Sequence, residues 1–502
     1  MTAIRTRHTG FLATLHAEWT KFRTVRGWVL TMAGALLATI VVGLLGTAAP
    51  GPGGADASYP RGPGGEAVND SFYFVHRTLT GDGTLTVPLR SLAGVADTGA
   101  GKAARGTQPW AKAGIIVKES LAQGSPYAAL MATGAHGIRM QYDYTHDTAG
   151  PETPQRWLRL VRSGDRLTGY ASADGSRWTE VGRARLPGLA RTVRAGLFAT
   201  SPQAKQDTGA GAGFSPAVAT GTFGRPVLTG GWSRTPWRGT QVGGDAGTSG
   251  SYTDTLKGGF TRTGDGFAVT GAGDIAPVVG GPVMGVGFSV ENFLVGTFAG
   301  LIAVIVVATV FLTGEYRRGL LRTSMTATPR RGRVLGAKAL VAGGVAGAVG
   351  LVAAAIAIPL GARGARGRGF LVFPVTTATE LRVVAGTGLL CAAAAVLALG
   401  VGALLRRSGT AVALVVASLV LPFLLAISGV LPAGVAEWLL RVTPAAGFAV
   451  QQTLPRYAQV LSVYEPSTGY FPLAPWTGFA VLCGYAALAY GLAVARVRGR
   501  DV

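Results

Sequence analysis

Residues 27–46 read GWVLTMAGALLATIVVGLLG. Twenty residues pass without a charge, the length an α-helix needs to cross the roughly 30 Å hydrocarbon core of a bilayer. A basic lead precedes the run (Arg5, Arg7, Lys21, Arg23, Arg26), and no small-residue cleavage site follows it. It therefore reads as a retained anchor rather than a cleaved leader. Five further apolar runs lie downstream. Taking the first as 27–48, the spans fall at 291–313, 339–362, 383–405, 408–431 and 476–495. Pro422 sits inside the fifth and is expected to kink it, which neighbouring helices tolerate. Only 14 % of the 502 residues are charged, far below the roughly 25 % of a soluble protein.

The formal charge of +22 is an orientation signal. With the N-terminus in the cytoplasm, the inside segments hold the basic lead, the loop 314–338, Arg406, Arg407, Arg496, Arg498 and Arg500. The short outside loops hold Arg363, Arg366, Arg368, Arg382, Arg441 and Arg456, and the cluster at 361–369 is the main strain on this topology. The bias places both termini inside. The remaining basic residues lie between the first two spans, close to balance with acids, so no basic face for nucleic acid is expected.

The segment 49–290 contains no span and is expected outside the cell. After a Pro/Gly linker (49–70), the hydrophobic period changes to two. Stretches 72–79, 83–91, 113–120, 137–144, 157–162, 166–173, 177–182 and 193–200 read as strands, with Asp174-Gly175 as a hairpin turn. Residues 258–271 suggest another hairpin, while about 202–250 is rich in Gly, Thr and Ser and hard to place. Many short strands with regular turns argue for an antiparallel sandwich over 71–285. The fold class is thus an α-helical membrane protein with six transmembrane helices plus an all-β jelly-roll or sandwich extracellular domain between helices one and two. Trp157 and Trp178 read more simply as core residues of that sandwich, with stacking on a sugar as the sharper alternative. Asp143, Asp147, Glu152 and Asp174 are loop acids, with a calcium site as the sharper alternative.

Catalytic patterns are missing. GAGKAARG (99–106) lacks the first Gly and the Ser/Thr of a phosphate loop. There is no HExxH and no GxSxG, and His8, His16, His76, His136 and His146 show no ligand spacing. The two cysteines, Cys391 and Cys483, fall in apolar runs and offer no disulfide framework. None of the span cores carries Asp, Glu, Lys, Arg or His, where ion-coupled transporters usually keep such a group. A transporter built this way draws its energy from elsewhere.

Two cytoplasmic segments are placed to make contact. In 11–26, Phe11, Leu15, Trp19 and Phe22 share one helical face, with Leu12 at its edge and Glu18 and Lys21 off the stripe. That pattern describes an amphipathic helix at the membrane interface, and a simple anchor and a partner site remain equally open. The loop 314–338, GEYRRGLLRTSMTATPRRGRVLGAK, places Glu315, Arg317, Arg318 and Arg322 ahead of Pro329. A polybasic topology signal that touches anionic lipid is the plainer reading of it.

Two resemblances add to this. WAKAGIIVKES (110–120) with RWLRLVRSGDRLTGYASADGSRWTEVG (156–182) resembles concanavalin-like, laminin-G-like jelly-roll domains over 71–201, which implies a possible cell-wall glycan ligand. AEWTKFRTVRGW (17–28), the 314–338 loop and the region 380–413 resemble actinobacterial permease subunits of type-two ABC transporters. That resemblance implies six spans as one half of an exporter, in the cell membrane. A second permease completes the pathway, and a separate cytoplasmic ATPase supplies ATP and magnesium, with no cofactor in this chain. It also implies that Glu18, Trp19, Lys21 and Arg23 belong to a connecting helix. Glu315, Arg317, Arg318 and Arg322 would lie in or beside a coupling helix that Pro329 ends. The inserted domain between spans one and two is where the sequence departs from ordinary family members.

Overall fold

The computed structural model describes residues 10–46, 59–97, 103–152, 156–207, 212–243, 258–279, 287–317, 331–428, 430–460, 464, 466 and 469–498. The chain divides into two compact units. One is helical and holds the apolar runs. The other is β and comprises Tyr59–Val279 together with Arg456–Val463.

The helical unit begins with α1 (Phe11–Thr24) and α2 (Arg26–Leu45). A buried 3-10 turn, Val290–Leu294, leads into α3 (Thr297–Arg317). Then come α4 (Arg331–Gly367), α5 (Thr377–Leu405) and α6 (Ser408–Ile427), followed by the short α7 (Ala433–Val442) and finally α8 (Pro475–Arg498). Six helices are long and apolar enough to cross a membrane: α2, α3 with its leading turn, α4, α5, α6 and α8. Five apolar runs in the sequence therefore became five further spans after the first, as the hydropathy required.

Small residues let these helices approach. Gly43 of α2 lies against the Phe293 carbonyl, and Gly296 and Gly300 lie against Thr39 of α2. A side chain at any of the three would collide with the neighbouring helix, so α2 and α3 pack through a small-xxx-small seam. In α6 the helix widens to a π turn over Val416–Val420 directly before Pro422. Proline supplies no N–H to the preceding turn, and the wider turn absorbs the loss without a break.

Three features of this unit depart from the sequence reading. α4 is 37 residues long, about 55 Å at 1.5 Å per residue, so it outruns a bilayer. The surplus length is enough to carry the exposed Arg363, Arg366 and Arg368 at its C-terminal end beyond an apolar core of about 30 Å. Second, 432–475 is not an open loop. α7 is amphipathic, with Ala436 and Leu440 buried, and the 3-10 helix Pro444–Gln451 is wholly buried. Phe448 stacks on Phe423 of α6 at 3.8 Å. Gln451 donates to Thr297 Oγ1 of α3 (3.1 Å) and Thr387 Oγ1 of α5 (3.0 Å). Third, two charged residues at span ends, Glu315 of α3 and Lys338 of α4, are buried, as described below.

The β unit is antiparallel throughout its named ladders. Its spine is the strand Phe72–Asp97, which pairs in turn with Thr192–Thr200, Trp157–Ser163, Val227–Trp232, Arg238–Val242 and Ala217–Phe223. The two layers share this strand, which turns at Gly81 (φ 73°), so the sheet nearly closes into a barrel. The turn Asp174-Gly175 joins the antiparallel strands Arg166–Ser172 and Thr179–Arg185, with Gly175 at φ 78°. Residues 258–271 form the hairpin Gly259–Thr263 with Gly266–Gly271. Val68–Asp70 and Ile275–Pro277, the first and last strands of the insert, pair with each other. The insert therefore opens and closes at one place.

Candidate functional site

A charge quartet occupies one end of the helical unit. Glu18 comes from α1, Glu315 from the last turn of α3 and Lys338 from the early turns of α4. Lys338 Nζ contacts Glu18 Oε2 at 2.7 Å and Glu315 Oε1 at 2.9 Å. Lys21 Nζ contacts Glu18 Oε1 at 2.8 Å and Glu315 Oε1 at 3.2 Å. The side chains of Lys338, Glu18 and Glu315 are buried, and that of Lys21 is 40 % exposed. Two negative and two positive charges thus close a ring that joins three helices. Burial works against the Lys21 ammonium, but the hydrogen bond and charge of Glu18, with Glu315 behind it, hold its pKa above the ordinary value.

An aromatic floor supports the ring. Lys338 Nζ lies 4.2 Å from the Phe311 ring centroid, a cation–π contact at short range. Phe22 of α1 meets Phe311 edge-on at 5.5 Å, and Trp28 meets it at 5.1 Å. Alongside, the Arg406 guanidinium lies 5.3 Å from the ring centroid of Tyr316. One oxygen of the ring, Glu315 Oε2, is buried without a hydrogen-bond partner among the described residues.

This geometry splits the apolar stripe read in the sequence of α1, with Leu15 and Phe22 packed on the core and Phe11 and Trp19 exposed. The face packed against the bundle carries Thr14, Glu18 and Phe22, all buried. Phe11, Leu12 and Trp19 are exposed. Apolar side chains on a membrane-associated helix can face lipid, whereas Glu18 needs a cation and finds Lys338, so the protein-facing side combines Glu18 with Phe22 and the partly buried Leu15. Of the residues singled out in the sequence, the structure brings Glu18, Lys21 and Glu315 together. Trp19 and Arg23 point away from the ring, both exposed. Arg317 ends α3. Arg318, Arg322 and Pro329 lie outside the described residues.

Lys338 is the residue that sequence reasoning missed. It was counted as one of seven loop cations, yet it is fully buried and neutralised. The signal available was its position: a charge at the margin of an apolar run, matched by Glu315 at the margin of another.

The β unit carries buried charges of its own. Lys118 Nζ contacts Asp70 Oδ2 at 2.7 Å, and Tyr144 Oη donates to the same oxygen at 2.7 Å. Burial lowers the Lys118 pKa against the opposing pull of Asp70. Lys112 contacts Asp274 at 2.5 Å and donates to the Ile275 carbonyl. The two lysines pin the paired first and last strands of the insert to the strand Lys112–Lys118. Gln459, from the segment Arg456–Val463, donates to the Tyr144 carbonyl at 3.1 Å.

Trp157 and Trp178 are half-buried and belong to neither apolar cluster of this unit, which corrects their reading as core. On the strand Trp157–Ser163 the inward positions are Leu158 and Leu160, so Trp157 and Arg159 point outward by alternation. The Arg159 guanidinium covers Trp178 at 3.8 Å. His136 stacks on Trp110 and His146 on Tyr142, so the two histidines are not neighbours. Asp174 accepts from Ser176 N (2.8 Å) and Arg177 N (2.9 Å), which holds its carboxyl well below the usual range. Asp147 pairs with Arg139. These acids are turn caps and ion-pair partners, and among the described residues no cluster of His, Cys, Asp and Glu gathers for a metal.

No protein family and no curated protein matches the chain. Among solved structures, a functionally unknown protein from Saccharomyces cerevisiae is similar at 16 % identity, covering 34 % of this chain and 82 % of that one, with a TM-score of 0.20. SCP-B, a member of the Eqolisin family of peptidases in complex with the tripeptide Ala-Ile-His, is similar at 10 % identity. That match covers 42 % of this chain and all of the other, with a TM-score of 0.24.

Proposed function

We propose that this chain is the membrane-spanning subunit of an ATP-driven exporter, working with a separate cytoplasmic ATPase that docks on α1 and on the 314–338 segment. The observation that carries this reading is the quartet. An interfacial helix that only anchored the chain would have no use for a buried ion pair to α4 and a partly exposed one to α3. Rigid coupling makes a displacement of α1 a displacement of α3 and α4, because the ring cannot stretch without exposing unpaired buried charge. The chain itself supplies no ATPase, a second copy or relative completes the pathway, and the quartet end of the bundle faces the cytoplasm of a cell whose membrane holds the protein.

Cross-linking in native membranes tests the proposal. Photo-reactive residues at positions 12, 16 and 20 of α1 are expected to capture an ATPase carrying GxxxxGK[ST]. Capture of no ATPase from any of them would refute the docking. The competing reading is a surface receptor whose β unit binds a wall glycan. The outward set Trp157, Arg159 and Trp178 favours it, although Arg159 already covers one face of Trp178.

A further inference from the structure

Beside the quartet, where α1 meets α2 and α4, lies a groove with no polar wall. It is formed by Leu15 and Trp19 of α1, Leu36 of α2, and a stripe of α4 from Leu340 through Gly344 to Val352, and encloses about 580 Å³. The α4 stripe runs from Leu340 to Val352, about 18 Å end to end, roughly the depth of one leaflet of a 30 Å hydrocarbon core. Leu15, Trp19 and Arg23 follow at i, i+4 and i+8, so the α1 side that lines the groove continues one turn later into an exposed arginine. Arg23 has no hydrogen bond or ion pair among the described residues.

We propose that this groove is a binding site for a single phospholipid with an anionic headgroup, its acyl chain lying along α4 and its phosphate on Arg23. The walls admit only hydrocarbon, and the groove lies between membrane-spanning helices, where hydrocarbon is the medium. A free guanidinium one turn beyond the groove selects an anion, for which it offers paired donors. Trp19 marks the same level, since indole rings settle at the headgroup boundary. Covering this face would also hold α1 flat against α2 and α4 independently of the quartet. The site does not depend on the export reading.

The full-length protein in nanodiscs containing equal phosphatidylglycerol and phosphatidylcholine provides the test, with bound lipid read by native mass spectrometry. One retained phosphatidylglycerol is expected, about fivefold preferred over phosphatidylcholine, the ratio for about 1 kcal/mol from one cation. Gly344 and Ala348 are both exposed on the groove wall, and a Cβ built on Gly344 meets no neighbouring residue within 4 Å, so Gly344→Leu with Ala348→Leu projects side chains into the groove and is expected to abolish retention of either lipid. Arg23→Gln is expected to keep the lipid and lose the preference, and its exposed position leaves folding intact. Unchanged retention in the filled variant, or no headgroup preference in the wild type, would overturn the site. So would a filled variant whose only change is oligomeric mass, which would make the groove an interface between copies of the chain.

Discussion

Removing the Lys338 ammonium probes the quartet most sharply. Lys338→Met keeps the length of the side chain and its packing on Phe311 but leaves Glu18 and Glu315 with Lys21 between them. Breaking a buried pair from one side costs about 3–5 kcal/mol, because the stranded charge stays desolvated. Lys21 still bridges both carboxylates and is partly solvated, so the low end, about 3 kcal/mol, is expected. The loss falls on the attachment of α1, since Glu18 is its buried charged residue. Amide hydrogen exchange across Phe11–Thr24, measured on the intact protein in nanodiscs, is then expected to speed up about a hundredfold. Adding Glu315→Gln leaves one carboxylate with one ammonium and is expected to recover most of the protection. The two substitutions should be non-additive by about 2 kcal/mol, a coupling seen only when residues share a network. Additivity within about 0.5 kcal/mol would refute the closed ring.

Three other perturbations report on the rest of the molecule. His76 is buried, and burial with Arg194 and Arg238 nearby pushes its pKa down to about 4. The unfolded chain takes up a proton at the ordinary value near 6.5, so stability of the β unit should fall as pH drops from about 6.5 towards 4 and level off below. A melting midpoint that is flat across that window in the wild type, or unaltered in its pH slope by His76→Gln, would contradict this. Lys118→Met strands Asp70, although Tyr144 Oη and Gly124 N still donate to it, so a loss of about 3 kcal/mol is expected in thermal unfolding, largely restored by adding Asp70→Asn. Gln451→Leu removes both hydrogen bonds to Thr297 and Thr387 and should cost about 1–2 kcal/mol in the helical unit, read as a lower midpoint of the reconstituted protein.

The spans were legible because a bilayer imposes length and apolarity on each helix separately, and residues 27–46 satisfy both by themselves. The strands with alternating faces, such as Trp157–Ser163, were legible for the same local reason. Tyr127–Thr133 escaped because it is buried on both faces and shows no alternation. Ala217–Phe223, Val227–Trp232 and Arg238–Val242 escaped because Gly and Thr dilute the pattern. The quartet could not be read locally at all. Lys338 and Glu18 are 320 residues apart, and Lys21 and Glu315 are 294 apart. Charge at the end of an apolar run reads as the point where a helix meets water, and only the packed bundle shows three such ends meeting each other. The stripe on α1 was visible, but which stripe faces protein depends on the partner of Glu18, which lies elsewhere in the chain.

ATP hydrolysis by the complex purified from native membrane and reconstituted in proteoliposomes tests the central claim most directly. The account predicts turnover by a co-purified ATPase, lowered at least tenfold by Lys338→Met and restored by the further Glu315→Gln, with the ATPase still bound in all three. A chain that purifies without any ATPase, or a complex whose turnover ignores Lys338, would contradict it.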